Sequence, residues 1–151
     1  MTNQKDDPMI ETTTTIIGDW RIVKHPNSDG SVTKFMNQRC INDEDQEEIF
    51  QIGFQFNQEN KQTTVEIFVP LGVLLTQTIK FGIDQENLYE ATYQSCFPEG
   101  CLATANINEA IEKLFEKHDA GILQFSHIEA GNVSLSFSLN GFSEGYKELK
   151  S

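Results

Sequence analysis

Two stretches of the sequence alternate between apolar and polar residues: Phe50-Gln-Ile-Gly-Phe-Gln-Phe-Asn57 and Asn132-Val-Ser-Leu-Ser-Phe-Ser-Leu139. Successive side chains of a β-strand point to opposite faces of its sheet. Each stretch therefore predicts a strand with one buried face and one wet face. This arrangement is typical of antiparallel sheets that are solvated on one side.

Working outward from these two stretches, apolar runs bounded by turn residues predict further strands at 20–23, 31–41, 62–69, 74–83, 88–97, 102–107 and 122–128. Asp29-Gly30 is a strong hairpin signal between the first two of them. Pro70-Leu-Gly72 follows one strand directly, and we expect the backbone to bend there. About eight or nine short strands favour an antiparallel β-sandwich over a barrel.

One segment has helical periodicity instead. Ile107, Ile111, Leu114 and Phe115 fall on one face of a helix, and Asn108 is a favourable N-cap. The pattern predicts an inserted helix over about 108–119. A short C-terminal helix over 143–149, capped by Ser143, is consistent with the spacing of its apolar residues, and Phe142 is expected to close the core.

Composition excludes several classes of protein. Eleven basic and 23 acidic residues give a net charge of −12, which argues against nucleic acid as a partner. No apolar run approaches the roughly 18 residues of a spanning helix, so we predict a protein that does not span the membrane. Residues 1–15 are mostly polar and lack the apolar core of a signal peptide. We predict that they form a flexible tail and that residues 16–151 form a single domain.

The three cysteines are the most informative candidates for covalent chemistry. Cys96 and Cys101 enclose Phe-Pro-Glu-Gly, a spacer that can reverse the chain. Their spacing is compatible with a disulfide across a hairpin and with two reduced thiols. The odd cysteine, Cys40, predicts a free thiol that packs as a small hydrophobe; intermolecular pairing and catalysis are the sharper alternatives.

No catalytic, cofactor-binding or metal-binding residues are predicted. His25, His118 and His127 are isolated, and no nucleophile or phosphate-loop motif occurs. Asp43 and Asp45 are spaced like calcium ligands, but the remaining ligands of a calcium loop do not follow. The acidic residues 42–48 predict a solvated loop.

Five short motifs together resemble the invasion-associated locus B family of Gram-negative bacteria. In chain order they are Trp20-Arg-Ile-Val23, Val69-Pro-Leu-Gly-Val-Leu-Leu75, Gly82-Ile-Asp84, the pair Cys96 and Gly100-Cys101, and Ser138-Leu-Asn-Gly-Phe142. The resemblance runs from about Trp20 to Leu149. It implies export to the periplasm or cell surface and a link to host-cell invasion, and it brings no catalytic residues.

The resemblance also bears on the cysteines. It favours a Cys96–Cys101 disulfide and a signal peptide removed ahead of this sequence. Members of the family commonly pair a cysteine shortly after the tryptophan with a later one. Lys24 stands at about the first of these positions and Cys40 at about the second, which implies that Cys40 has lost its partner.

The leading hypothesis is therefore an exported, non-enzymatic protein that binds an unidentified protein partner, as a monomer or a weak homodimer. The first alternative is a hydrolase or carbohydrate-active enzyme on a β-sandwich scaffold, which requires convergent carboxylates or histidines. The second alternative is a carrier of a small apolar ligand, which requires a cavity lined by phenylalanines.

Overall fold

The computed structural model describes residues 12–41 and 48–151. Over these residues the chain forms ten strands: β1 (Thr13–Ile17), β2 (Trp20–Pro26), β3 (Val32–Ile41), β4 (Glu48–Asn57), β5 (Gln62–Val69), β6 (Ile79–Gly82), β7 (Leu88–Phe97), β8 (Gly100–Ile107), β9 (Ala120–His127) and β10 (Gly131–Ser138). Helix α1 (Glu109–Lys117) joins β8 to β9, and α2 (Phe142–Lys150) follows β10. None of the helices described is long and apolar enough to cross a membrane.

All the strand pairs are antiparallel, and the strand order is β1-β2-β3-β4-β5-β8-β7-β6-β9-β10. The predicted fold class, mainly β and antiparallel with one inserted helix and a C-terminal helix, is confirmed. The hydrogen-bonded order is continuous from β1 to β10. All ten strands are thus parts of one sheet, which folds around the core.

A buried glutamine joins β3 to β10, the last strand in the sheet order. Gln38 in β3 donates from Nε2 to the carbonyl of Ser138 at 3.0 Å, and its Oε1 accepts the Ser138 backbone N–H at 2.9 Å. Nearby, the Asp19 N–H donates to the carbonyl of Asn140 at 3.0 Å. The primary amide of Gln38 thus bonds the end of β10 much as a neighbouring strand would, and it connects β10 to β3.

Aromatic rings fill the space between the two parts of the sheet. Phe115 of α1 contacts the rings of Phe54, Phe81, Phe137 and Phe142 at centroid distances from 5.6 to 6.4 Å. Most of these contacts are edge to face, a favoured geometry for aromatic pairs. Trp20 packs against Phe54 and Phe142 from the other side. This packing argues against an interior cavity for an apolar ligand.

The two helices begin in different ways. Asn108 caps α1 as predicted, because its Oδ1 accepts the N–H of Ile111 at 3.0 Å. Ser143 does not cap α2, which begins one residue earlier. Its N-cap is Gly141, which has a positive φ of 85° and lies so close to Ile17 that an added Cβ would fall 2.4 Å from the carbonyl oxygen. Only glycine fits this conformation and this approach.

Tyr146 anchors α2 to the rest of the domain. Its buried hydroxyl donates to the Glu112 carboxylate of α1 and lies 2.7 Å from the Thr63 hydroxyl of β5. Burial, together with the hydrogen bond to Glu112, strongly raises the pKa of the Tyr146 phenol. Lys150 reaches Glu112 at 3.5 Å and lies over the Tyr146 ring. This cluster connects both helices to the sheet.

Two predicted boundaries differ from the structure. The predicted limit between a tail and a domain at residues 15 and 16 falls inside β1, which pairs with β2 from Thr13 onward; residues 1–11 lie outside the described part. The strand predicted at 74–83 is shorter, because only Ile79–Gly82 pairs with neighbouring strands. After the predicted bend at Pro70, the chain crosses toward β9, where Val73 forms an isolated bridge with His127.

Candidate functional site

The two predicted hairpin cysteines lie opposite each other at the ends of β7 and β8. Cys96 and Cys101 are register partners, and a disulfide joins them. Cys101 is buried, whereas Cys96 is exposed at the surface. The bond closes the hairpin beside Val69, the register partner of Cys101 at the end of β5.

Lys24 and Cys40 do not lie opposite each other. The expectation that positions 24 and 40 correspond to a disulfide-forming pair of the family is therefore wrong. Lys24 in β2 faces Lys34 of β3, and Cys40 lies six residues further along that strand. Six strand residues span roughly 20 Å, too far for a disulfide between the two positions. Cys40 is half-buried, and its Sγ lies 3.7 Å from Gln38 Oε1.

The three histidines lie in different parts of the fold, and each forms hydrogen bonds with a different set of neighbours. His25 in β2 contacts the Thr12 hydroxyl, and His118 contacts the Leu114 carbonyl at the end of α1. His127 accepts two backbone N–H groups at Nδ1, so its Nε2 carries the proton and donates to the Leu71 carbonyl at 2.9 Å. His127 therefore fastens the segment after Pro70 to the end of β9.

The calcium-like pair Asp43 and Asp45 lies outside the described residues. Within ranges 12–41 and 48–151, no cluster of three or more His, Cys, Asp or Glu side chains is arranged to hold a metal ion.

A hollow of about 320 Å³ opens on the wet face of β3, β4, β5 and β8. Its centre is Gly53, which lies between the register partners Asn37 of β3 and Glu66 of β5. The buried neighbours Ile52 and Phe54 point into the core, so position 53 faces solvent. Because glycine carries no side chain, the sheet is open at this point. A strand glycine often marks a place where a ligand approaches the backbone.

Large apolar side chains form the walls of the hollow. Phe35 of β3, Phe68 of β5 and Leu102 of β8 line it, and all three are half-buried. They occupy outward positions because their strand neighbours, such as Ile67 and Val69, fill the inward ones. Two aromatic rings on the wet face of one sheet form an apolar surface that the domain core does not use.

Glu66 is the charged group in the hollow. Burial raises the pKa of its half-buried carboxyl. Across the described chain, Glu66 makes no ion pair or side-chain hydrogen bond. Arg21, in the same register row, donates from Nε and Nη2 to Asn37 Oδ1 at 3.2 and 3.0 Å. The carboxylate is thus partly desolvated, and no cation of the described chain neutralises it.

A second groove, of about 400 Å³, crosses the outer face of β6, β9 and β10. Its polar side chains largely bond one another. The Ser126 hydroxyl lies 2.9 Å from both Gln77 Oε1 and Asn132 Oδ1, and Gln124 Nε2 donates to the Ser134 hydroxyl at 3.4 Å. Lys80, the charged residue of this groove, is exposed. The hollow over Gly53 is the stronger candidate, because its carboxylate is half-buried and two aromatic side chains line the same space.

Comparison with known proteins identifies the family. The sequence model described as Invasion associated locus B (IalB) protein matches residues 25–150, most of the chain. The chain belongs to this family. The predicted resemblance to this family is confirmed.

A solved structure has the same fold as this IalB-family chain. It is described as the crystal structure of invasion associated protein b from Bartonella henselae. The likeness has a TM-score of 0.79 at 20% sequence identity and covers 91% of this chain and 94% of that one. No curated protein sequence matches the chain.

Sequence reasoning missed the hollow in this IalB-family protein, although its signals were present. In Val65-Glu-Ile-Phe-Val69 the inward positions are Val65, Ile67 and Val69, which places Glu66 and Phe68 together on the wet face. The glycine in the strand 50–57 falls on the same face. What the sequence lacked was the strand order, which places these residues beside Phe35 and Leu102.

Proposed function

We propose that this IalB-family protein is exported to the periplasm or cell surface and acts there by binding a protein partner, without catalysis. The observation that carries the proposal is the hollow over Gly53, where a partly desolvated carboxylate and two aromatic rings face outward. Apolar surface and an unneutralised charge outside the core are features of recognition sites.

Export is supported by the Cys96–Cys101 disulfide. Disulfides persist in oxidising compartments such as the periplasm and the cell exterior, and they are rare in the cytosol. The signal peptide that export requires would precede the mature protein. A role in host-cell invasion or envelope function rests on the family description.

Binding is favoured over catalysis by the groups that surround Glu66. General acid–base hydrolysis requires a proton donor and a proton acceptor within reach of the same bond. The other polar groups that line this hollow are the amides of Asn37 and Gln51, which do not transfer protons near neutral pH. Together, Glu66 and these two amides can orient a ligand through hydrogen bonds and charge.

The test is fractionation of cells that express the complete natural gene, with thiols alkylated before lysis. We expect to find the protein in the periplasm or the medium. Cys96 and Cys101 should resist alkylation before reduction and should be alkylated after the disulfide has been reduced. Cytosolic protein with both cysteines alkylated would refute export. Light scattering of the purified protein should give the mass of a monomer or a weak dimer.

A further inference from the structure

We propose that the hollow over Gly53 binds the cationic side chain of an arginine or lysine presented by the protein partner. The inference rests on the proposed binding function and specifies the chemistry that the site recognises. Three features support it: the size of the hollow, the groups that line it, and the electric field of the whole protein.

The size of the hollow suits one side chain. Its volume of about 320 Å³ lies at the lower end of ligand pockets, which hold roughly 300–1,000 Å³. Its floor is the backbone of β4 at Gly53, flanked by Asn37 and Glu66 on the neighbouring strands. An extended side chain of a docked partner can therefore reach the sheet backbone here, whereas any residue larger than glycine would occupy that space.

The lining groups select for positive charge. Aromatic faces attract ammonium and guanidinium groups, and a guanidinium also stacks flat on a ring. Phe35 and Phe68 supply the rings, and Glu66 supplies a carboxylate that can accept charge-assisted hydrogen bonds. The aliphatic stem of the ligand would lie along Leu102, since long cationic side chains bury their methylene groups against apolar surface.

Other ligand classes fit the same groups less well. An anion would meet the Glu66 carboxylate, and Arg21, the cation in the same row, is already bonded to Asn37. A neutral apolar group would bury Glu66 further without a partner, which is costly for an ionised carboxylate. An arginine or lysine removes that cost because it neutralises the charge.

The overall charge favours the same class of partner. The chain carries a net charge of −12, so its field attracts basic surfaces and repels acidic ones. This long-range attraction would steer a basic segment toward the protein, and the hollow would then hold one of its side chains in place.

The test is a titration of uniformly 15N-labelled protein with the peptide acetyl-Gly-Arg-Gly-amide, followed by NMR. The matched neutral peptide is acetyl-Gly-Gln-Gly-amide. We expect saturable shifts of the amides of Gly53, Glu66 and Phe68 with the arginine peptide and none with the neutral one. Glu66→Gln should weaken binding at least about tenfold, as expected for loss of a charge-assisted contact.

Two further variants control this experiment. Glu129→Gln makes the same charge change at an exposed turn and should keep the affinity within about twofold. Gly53→Ala adds a Cβ 3.3 Å from Asn37 Cβ and from the Met36 carbonyl oxygen. The added methyl group makes the hollow shallower and should weaken binding while the protein stays folded.

The proposal is overturned if the arginine peptide causes no saturable shifts, if both peptides bind alike, or if Glu66→Gln and Glu129→Gln behave the same. Cell fractionation measures export separately, so failure here leaves the compartment of the protein unaffected.

Discussion

Gln38→Leu is the perturbation that most directly tests how the sheet is closed. Leucine approximates the volume of glutamine but has no amide, so the two hydrogen bonds to the N–H and carbonyl of Ser138 disappear. The Leu139 N–H donates to the carbonyl of Asp119, the residue before β9, at 2.9 Å. Because successive backbone groups of a strand alternate in direction, the polar groups of Ser138 point away from β9 and toward Gln38.

The size of the effect follows from burial. Gln38 is only 8% exposed, so its substitution leaves two backbone groups with little access to water. An unsatisfied buried polar group costs about 1–3 kcal/mol. Ser138 is half-buried, so water reaches it in part, and we expect a loss of about 2–4 kcal/mol in the free energy of unfolding.

Urea unfolding at constant m-value measures this loss, and Gln55→Leu is the matched control. Gln55 lies on the outer face of β4, is half-buried and has no side-chain hydrogen bond within the described chain. Its substitution should change stability by less than about 0.5 kcal/mol. Hydrogen exchange should also show loss of protection at the Ser138 amide. If Gln38→Leu costs no more than Gln55→Leu and that amide stays protected, the glutamine does not close the sheet.

Three other predictions concern single features of the fold. Tyr146→Phe should lower the free energy of unfolding by about 1–2 kcal/mol in urea, because it removes a buried, bonded hydroxyl; an unchanged midpoint would contradict this. Replacing Cys96 and Cys101 together by Ala should cost about 2 kcal/mol, and reductant should then have no further effect on stability. Glu66→Gln should stabilise the protein by about 0.5 kcal/mol at pH 7, a value discounted for partial exposure. Folding raises the pKa of Glu66, so ionisation of this carboxyl destabilises the folded state at pH values above that pKa. The stabilisation by Glu66→Gln should therefore vanish at about pH 3, where the carboxyl is protonated in both the folded and the unfolded state.

Local patterns predicted most of the elements. Period-2 alternation located strands such as β4 and β10, because the inward and outward sets of a strand are written directly into its sequence. Helical spacing and an asparagine cap located α1 to within about two residues at each end. The strand predicted over 74–83 failed because an apolar segment can pack without pairing, and only its last part meets β7 and β9.

Contacts between distant segments could not be predicted in this way. Gln38 lies 100 residues from Ser138, and nothing in its strand distinguishes an amide that closes a sheet from one that faces solvent. The pairing of positions 24 and 40 failed for the same reason, since the register between β2 and β3 places Lys24 opposite Lys34. Register depends on the turn and on both strands together.

The sequence by itself determined the mainly β class and the inserted helix, because both are expressed in the spacing of residues that are neighbours along the chain. It also determined the excess of acidic charge, which depends on composition alone, and the family, which depends on short motifs and their order. Only the tertiary structure decided that Gly53, Glu66, Phe35 and Phe68 share one hollow. Those residues lie on three different strands, and a strand order set by the burial of the opposite face brings them together. The candidate binding site is thus a consequence of how the core packs.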